Sequence, residues 1–420
     1  MFILHLFRWI QIIVTTAFWY VLHSGSKATF YRKTLHRLRQ ENILFTKIFQ
    51  SLANNANFEL DADLRAELRP YTTNASYTED EIDYEAIDQV EETYGVHMDR
   101  HVANSGMIAL IFNGTDSSGN PVILKLKRAD IYNRLREGCD NVGSFYRWAA
   151  YWWPRHYIVQ ALRPFFLNLN DILEQCDFAR EIQNMTEARE DYAELDFVKI
   201  PAARNRLTAH SIDYILMDRL EGTHVMSAET SEEERLATLF KFCLFVGFGY
   251  VSNAVQHIDL HAGNVLFMPN GELGIIDFGL AFRFTDDEHD TLLSLGEILR
   301  GNQDLDDVDI LDTFKNIFEP PFRLEDVDDP AAFAAVCRDI IRPIIQHMNT
   351  TELMLLDKIE SMSSLINREI TMAPHFYKIL LGMACMGQLH SIMGRNYENL
   401  EMLRSIELRA LNAAFVKVFS

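Results

Sequence analysis

The chain has 420 residues, 48% of them hydrophobic, which is ample for a buried core and by length for about two to three domains. With 39 Lys and Arg against 60 Asp and Glu the net charge is −21, which argues against nucleic acid as a partner, because a phosphate-binding surface needs a basic stripe. Five cysteines, Cys139, Cys176, Cys243, Cys337 and Cys385, are scattered without CxxC spacing and read as small buried hydrophobes of a reducing compartment, not as disulfides or zinc ligands.

The charge is unevenly spread. No acid precedes Glu41, while Lys27, Arg32, Lys33, Arg37 and Arg39 follow an apolar block over residues 2–22. That block contains His5 and Arg8, so its uncharged part, 9–22, is shorter than the ~20 apolar residues of a straight spanning helix. It reads as a span with Arg8 snorkelling, as an interfacial helix anchored by Trp9, Trp19 and Tyr20, as a mitochondrial targeting peptide, or as an amphipathic helix docked on the protein's own surface. A secretory signal fits less well, because no basic segment precedes the block. Membrane association follows from the first two readings, with the body on the side of the basic cluster. Residues 59–99 then turn acidic, including Glu79-Asp80-Glu81 and Glu91-Glu92, as expected of a solvated helix face.

Two strands are expected next. Met107-Ile108-Ala109-Leu110-Ile111-Phe112 is β-prone, and Val122-Ile123-Leu124-Lys125-Leu126-Lys127 alternates, setting Val122, Leu124 and Leu126 on one face and Ile123, Lys125 and Lys127 on the other. The residues between, 114–121, have the composition of a hairpin loop. Apolar residues at Ile172, Cys176, Ala179, Ile182 and Met185 predict one helix over 171–190, with Glu181 beside the stripe. Residues 237–256 carry one charge, Lys241. They could pass for a membrane span but fit better a buried helix leading into the loop at Asp259, which a soluble nucleotide must reach. Beyond 279 the chain reads as mainly helical.

The chemistry concentrates in His257-Ile258-Asp259-Leu260-His261-Ala262-Gly263-Asn264 and in Asp277-Phe278-Gly279. Short strands on either side of Pro269-Asn270-Gly271-Glu272 would present Asn264 and Asp277 on one edge. An Asp, an Asn five residues later and an Asp-Phe-Gly triplet are the groups that kinase-like enzymes place around nucleotide phosphates. Asp259 then positions the acceptor, Asn264 and Asp277 hold magnesium, and an upstream lysine aimed by a glutamate holds the phosphates. Lys125 with Glu181 is the choice for that pair, and Lys127 is the competitor on the same strand face. His261 is expected to order its loop by hydrogen bonding, and Gly263 to allow a turn.

Together these residues resemble the UbiB family of atypical kinases, the AarF-domain-containing kinases. The family's KxGQ helix has its counterpart at Lys47-Ile48-Phe49-Gln50. Its small-residue nucleotide loop corresponds to Asn104-Ser105-Gly106-Met107-Ile108-Ala109, its ExD helix motif to Gln175-Cys176-Asp177 followed by Glu181, and its hinge to Tyr214-Ile215-Leu216-Met217-Asp218-Arg219-Leu220-Glu221-Gly222. Phe49 stands in place of the motif glycine, Gln175 in place of the first acid, and Ile123 in place of the small residue two before the kinase lysine. Lys125, Glu181, Asp259, Asn264 and Asp277 are intact.

The resemblance implies an α+β, protein kinase-like bilobal fold, with a small β-rich N-lobe, a mainly α-helical C-lobe and an N-terminal helical extension. Its divisions would be 1–39 (anchor or targeting segment), 40–100 (extension with the KIFQ motif), 101–222 (N-lobe and hinge) and 223–420 (C-lobe). It implies ATP and Mg2+ as cofactors. Asn104, Ser105, Gly106, Ile123, Lys125, Met217, Asp218 and Leu220 would lie at the nucleotide, and Lys47 and Gln50 on the motif helix. In the family that helix is associated with excluding protein substrates and with ATPase-type activity linked to isoprenoid quinone lipids. The chain itself is expected at a membrane, mitochondrial or other intracellular. Two further readings share the catalytic loop. One is a small-molecule phosphotransferase of the aminoglycoside or choline kinase type, and the other is a membrane-bound nucleotide- or lipid-binding pseudokinase.

Overall fold

The computed structural model describes residues 2–23, 25–54, 61–68, 75, 77–153, 159, 166, 169–205, 213–225, 231–261, 263–299, 314–319, 321–345, 366, 371–373, 375–376, 378 and 400–419. Cys385 and most of the helical remainder expected beyond 346 lie outside them. In chain order the helices and strands begin with α1 (Phe2–Leu22), α2 (Lys27–Glu41), α3 (Leu44–Asn54), α4 (Ala62–Leu68) and α5 (Tyr84–Tyr94). Next come β1 (Val96–Ser105), β2 (Ala109–Asp116), β3 (Pro121–Lys127), α6 (Ile131–Trp152), α7 (Leu169–Glu174), α8 (Phe178–Asp191), β4 (Val198–Lys199), β5 (Tyr214–Asp218) and β6 (Thr223–His224). They continue as α9 (Glu232–Ser252), β7 (Gln256–His257), β8 (Val265–Phe267), β9 (Leu273–Ile275), β10 (Ala281–Phe282), α10 (Asp286–Leu299), β11 (Phe318–Glu319), α11 (Pro330–Ile345), β12 (Thr371–Met372) and α12 (Leu400–Phe419). The chain forms two compact units, one of residues Met1–Gln183 and Pro201–Arg219, the other of Asn184–Ile200 and Leu220–Ser420.

The first unit is built on an antiparallel sheet of order β1-β2-β3-β5. The alternation read for 122–127 holds: Val122, Leu124 and Leu126 are fully buried with Leu110, Phe112 and Leu216 against Ile87 and Val90 of α5. Three local expectations are corrected. β2 runs on through Gly114 and Thr115 to Asp116, so the hairpin loop is only 117–120, closed by Asp116 Oδ1 accepting from the Ser118 and Asn120 amides. β1 has no apolar alternation along its His-Met-Asp-Arg-His run, and its first residues, 96–99, are strand where a solvated helix face was expected. It is held by the β2 ladder rather than by its own pattern. The helix expected over 171–190 is two, α7 and α8, because Asp177 Oδ1 accepts from the Ala179 and Arg180 amides at 3.1 and 3.2 Å and starts a new helix there.

The N-terminal helices belong to the same unit. α1 docks one face: Ile12 is buried and Trp9 stacks on Phe145 of α6, centroids 4.2 Å apart. The basic flank forms α2, where acids partner much of it, Lys27 with Asp61 at 2.9 Å, Arg32 with Glu67 at 2.6 Å, and Arg37 with Glu41. The acidic run is not wholly solvated either, since Glu81 is buried between Arg128 and Arg134.

The second unit is mainly helical. α9 starts with a capping box of Ser231 and Glu234 and ends at Asn253 in the left-handed region. Among the described residues it is the one helix long and apolar enough to cross a membrane. It is a core helix: Leu239, Phe242, Phe245 and Phe248 are buried and it packs along α12, as the sequence favoured. A small sheet of order β4-β9-β8-β6 and the pair β7-β10 carry the loops that bear Asp259, Asn264 and Asp277.

Candidate active site

In the first unit, β3 brings Lys125 to the face opposite the sheet core and α8 brings Glu181 in its first turn. Lys125 Nζ donates to Glu181 Oε1 at 2.6 Å and Oε2 at 2.9 Å, and the Glu181 side chain is 2% exposed. Lys127 shares the strand face but its Nζ lies 3.1 Å from the exposed Asp213. The buried Phe178 ring flanks both ammonium groups, 5.5 Å from that of Lys125 and 5.0 Å from that of Lys127. A fully desolvated carboxylate is tolerable only against a cation of this kind. Asp177, the retained acid of the helix motif, delivers Glu181 by starting α8.

The small-residue loop spans the end of β1 and the turn into β2. Asn104 and Gly106 are exposed, and Gly106 N donates to Ala109 O at 2.9 Å, closing a tight turn into β2. Ser105 points inward and is buried, its hydroxyl bonded to the Ala75 carbonyl. It meets a residue that the sequence did not single out. Arg128 Nη2 donates to Ser105 Oγ and Gly106 O, both at 2.6 Å, its amide donates to Ile108 O, and its Nη1 donates to Glu81 Oε2 at 2.7 Å. Burial pulls the guanidinium's pKa down from the usual arginine range and Glu81 opposes that pull. This clamp fixes the loop backbone from beneath. No spacing links Arg128 to Glu81, so only three-dimensional packing reveals it.

At the expected hinge, Ile123 pairs with Met217 and Val122 with Asp218 across β3 and β5. The Asp218 carboxylate accepts from Arg204 Nε at 2.7 Å, and Arg204 Nη1 reaches Asp116 at 2.9 Å. The Asp218 amide is taken by Ala202 O. Leu220 opens the second unit's long segment. On α3, Phe49 is buried, its ring 6.0 Å from that of Phe45, and Lys47 is half-buried. The Gln50 side chain lies outside the described residues.

In the second unit, β7 pairs with β10 and hands the chain to Asp259. The loop folds on its own backbone. Asn264 Nδ2 donates to Asp259 O at 2.9 Å, the Asn264 amide to His261 O at 2.9 Å, and the Gly263 amide to His261 Nδ1 at 3.0 Å. His261 therefore orders the loop by hydrogen bonding; its Nε2 is 4.0 Å from Asp259 Oδ2. The β8 and β9 hairpin turns through Asn270 at φ 65° and Gly271 at φ 70°. The Ile276 amide donates to Asn264 O at 3.0 Å, which sets Asn264 beside the strand end that carries Asp277.

Asp277 itself has φ 64°, a left-handed backbone conformation uncommon for a non-glycine residue. Its C-terminal neighbour anchors it. Phe278 is fully buried against His257, 5.1 Å between rings, and its carbonyl accepts from Asn184 Nδ2 at 3.1 Å. His257 Nε2 donates to Ile276 O at 3.1 Å, and burial pushes its pKa below the usual histidine range, so the ring is neutral.

The donor set suits magnesium. With the Asn264 amide nitrogen committed to a carbonyl, its oxygen and the exposed Asp277 carboxylate are the hard ligands this loop can offer. Mg2+ is characteristically held by one or two protein oxygens together with substrate phosphates and waters. Among the described residues no group of three His, Cys, Asp or Glu is placed to hold a metal.

No curated protein matches the chain in sequence. Among solved structures, the complex of Rv3197 with erythromycin from Mycobacterium tuberculosis is similar at 15% identity, covering 80% of this chain and 84% of that one, with a TM-score of 0.48. The MAP kinase LmaMPK10 from Leishmania major is similar at 14% identity, covering 72% and 98%, with a TM-score of 0.30. The ABC1 atypical kinase-like domain is matched by residues 71–304, which span β1 to β10 and hence the lysine strand, the glutamate helix, the Asp259 loop and the Asp-Phe-Gly triplet. With more than half of its length matched, the chain has a kinase-like α+β fold and belongs to the ABC1 atypical kinase-like family.

Proposed function

We propose that this chain binds Mg-ATP and acts as an atypical kinase or ATPase at a membrane surface, with an isoprenoid quinone or related lipid as the linked chemistry. The observation that carries the reading is the buried Lys125–Glu181 pair. An ammonium held on one face of a sheet by a carboxylate with almost no solvent contact has its charge aimed in advance, as phosphoryl transfer requires. Lys125 would hold the α- and β-phosphates, with Asn104 and Gly106 at the loop above them. Ile123, Met217, Asp218 and Leu220 would border the base, and Ser105, held by Arg128, would shape the loop. Asn264 and Asp277 would hold magnesium, which supplies neutralisation of the charge developing on the transferred group. Asp259 would orient the acceptor hydroxyl or water and take its proton.

Membrane association is supported by the apolar surface of α1, where Ile13, Val14, Phe18, Val21 and Leu22 stay exposed after Trp9 and Ile12 have docked. A second reading, a pseudokinase that binds nucleotide without turnover, is favoured by Ile123. Its branched side chain stands on the Lys125 face opposite Met217, where a smaller residue would leave more room for a base. One experiment separates the two: nucleotide-dependent thermal shift with and without magnesium, then phosphate release with vesicles present. A magnesium-dependent shift with release supports the enzyme, a shift without release supports the pseudokinase, and no shift refutes both.

A further inference from the structure

All five tryptophans of the chain, Trp9, Trp19, Trp148, Trp152 and Trp153, fall within residues 1–40 and 141–170. Those are also the two longest stretches without an Asp or Glu in a chain that carries 60 of them. The fold brings the two together. Trp9 of α1 stacks on Phe145 of α6 at 4.2 Å, Phe145 lies 5.8 Å from Trp148, and Trp148 lies 5.3 Å from Trp153. From this anchored end the aromatic surface runs outward into solvent. Trp148 is 48% exposed, Tyr151 78%, Trp152 60% and Trp153 54%, beside an α1 whose Phe18 and Val21 are 61% and 74% exposed.

Apolar surface of this extent marks a place where something docks. Composition selects the occupant. A protein partner selects a few hot-spot side chains within a shaped pocket and tolerates acids around the rim. A lipid leaflet selects over its whole footprint: tryptophan and tyrosine at headgroup depth, aliphatic residues deeper, arginine and lysine tolerated, carboxylates excluded by the anionic surface. Both stretches follow the second rule. Residues 141–170 hold Arg147, Arg155 and Arg163 with no acid.

We propose that the end of α6, through Trp148, Tyr151, Trp152 and Trp153, and the exposed face of α1 form a single platform that seats in the headgroup zone of an anionic bilayer. The platform rests on the proposed membrane association and changes its form: α1 is not a free tether but one half of a rigid docking face. The first unit is therefore held at the bilayer in a defined orientation.

The test uses the full chain with vesicles of phosphatidylcholine and phosphatidylglycerol. In a Trp9→Phe/Trp19→Phe background every remaining tryptophan sits on the α6 half, so its emission should shift to the blue and be quenched by brominated acyl chains when vesicles are added. In a second variant, Tyr151→Ser/Trp152→Ser/Trp153→Ser, vesicle partitioning should fall about tenfold or more, since each large side chain withdrawn from the interface removes apolar burial. Partitioning equal to wild type in that variant, with loss only in Phe18→Ser/Val21→Ser, would overturn the platform and leave α1 as the membrane contact. Partitioning of none of these proteins, wild type included, would refute membrane association itself. Unquenched emission combined with loss of self-association in the serine variant would assign the surface to a second copy of the chain, against the proposal.

Discussion

Lys125→Met tests the central pair directly. Two N–O contacts, 2.6 and 2.9 Å, join side chains that are 11% and 2% exposed, so the variant leaves the Glu181 carboxylate desolvated with its cation removed. Breaking a buried pair from one side costs about 3–5 kcal/mol, and the partial exposure of the lysine places this one near 3 kcal/mol, roughly 150-fold in the folded-to-unfolded ratio. Replacing both partners by apolar side chains of similar volume is close to neutral. Lys125→Met/Glu181→Met should therefore recover most of the loss, with a coupling on the order of 2 kcal/mol or more. The assay is urea unfolding followed by tryptophan fluorescence. All five tryptophans lie within Met1–Gln183, so the signal reports the first unit alone even though a chain of two units need not unfold in one step. A single variant within about 1 kcal/mol of wild type, or a double variant whose loss equals the sum of the singles, would show that the pair is neither buried nor coupled.

The other predictions address the metal, the loop and pH. Asp277→Asn should abolish the magnesium-dependent part of the nucleotide thermal shift, because binding to the native state raises its stability in proportion to RT ln(1 + [L]/Kd); a shift like that of wild type would remove Asp277 from the metal site. Arg128→Met should cost about 3 kcal/mol in the first unit and speed amide exchange across 104–109, since Ser105 and Gly106 lose their guanidinium partner; unchanged exchange there would refute the clamp. Burial lowers the pKa of His257, so as pH falls below about 6.5 the unfolded chain takes up a proton that the folded ring resists. Stability of the second unit should then fall by up to about 1.4 kcal/mol per pH unit for this group, and His257→Gln should flatten the profile by that one proton. Parallel pH profiles for variant and wild type, followed by circular dichroism, would contradict a neutral buried ring.

What was legible in the sequence was legible because it is local. The alternation over 122–127 decides which strand face is buried, and a two-residue period places Lys125 opposite the core without knowledge of anything else in the fold. The Asp259 loop and the Asp-Phe-Gly triplet lie within 23 residues, joined by a hairpin whose turn residues announce it, so the motif is legible from spacing alone. Amphipathic periodicity set Glu181 beside the apolar stripe, but it ran straight through the cap at Asp177, where a side chain competing for the amides of the next turn ends one helix and begins another.

Tertiary structure alone decided the rest. Glu81, in a run that reads as solvated, is buried because Arg128 and Arg134 arrive from elsewhere in the chain. The cations of α2 meet acids of residues 61–67, which draws much of the basic flank into pairs. β1 exists because a neighbouring ladder accepts its hydrogen bonds, not because its side chains alternate. Two acid-free stretches far apart in sequence become one aromatic surface only when Trp9 finds Phe145. The physical reason is common to all four. Periodicity along a chain encodes how a segment is oriented, whereas the identity of a partner is set by loop closures and packing that leave no spacing signature in either segment.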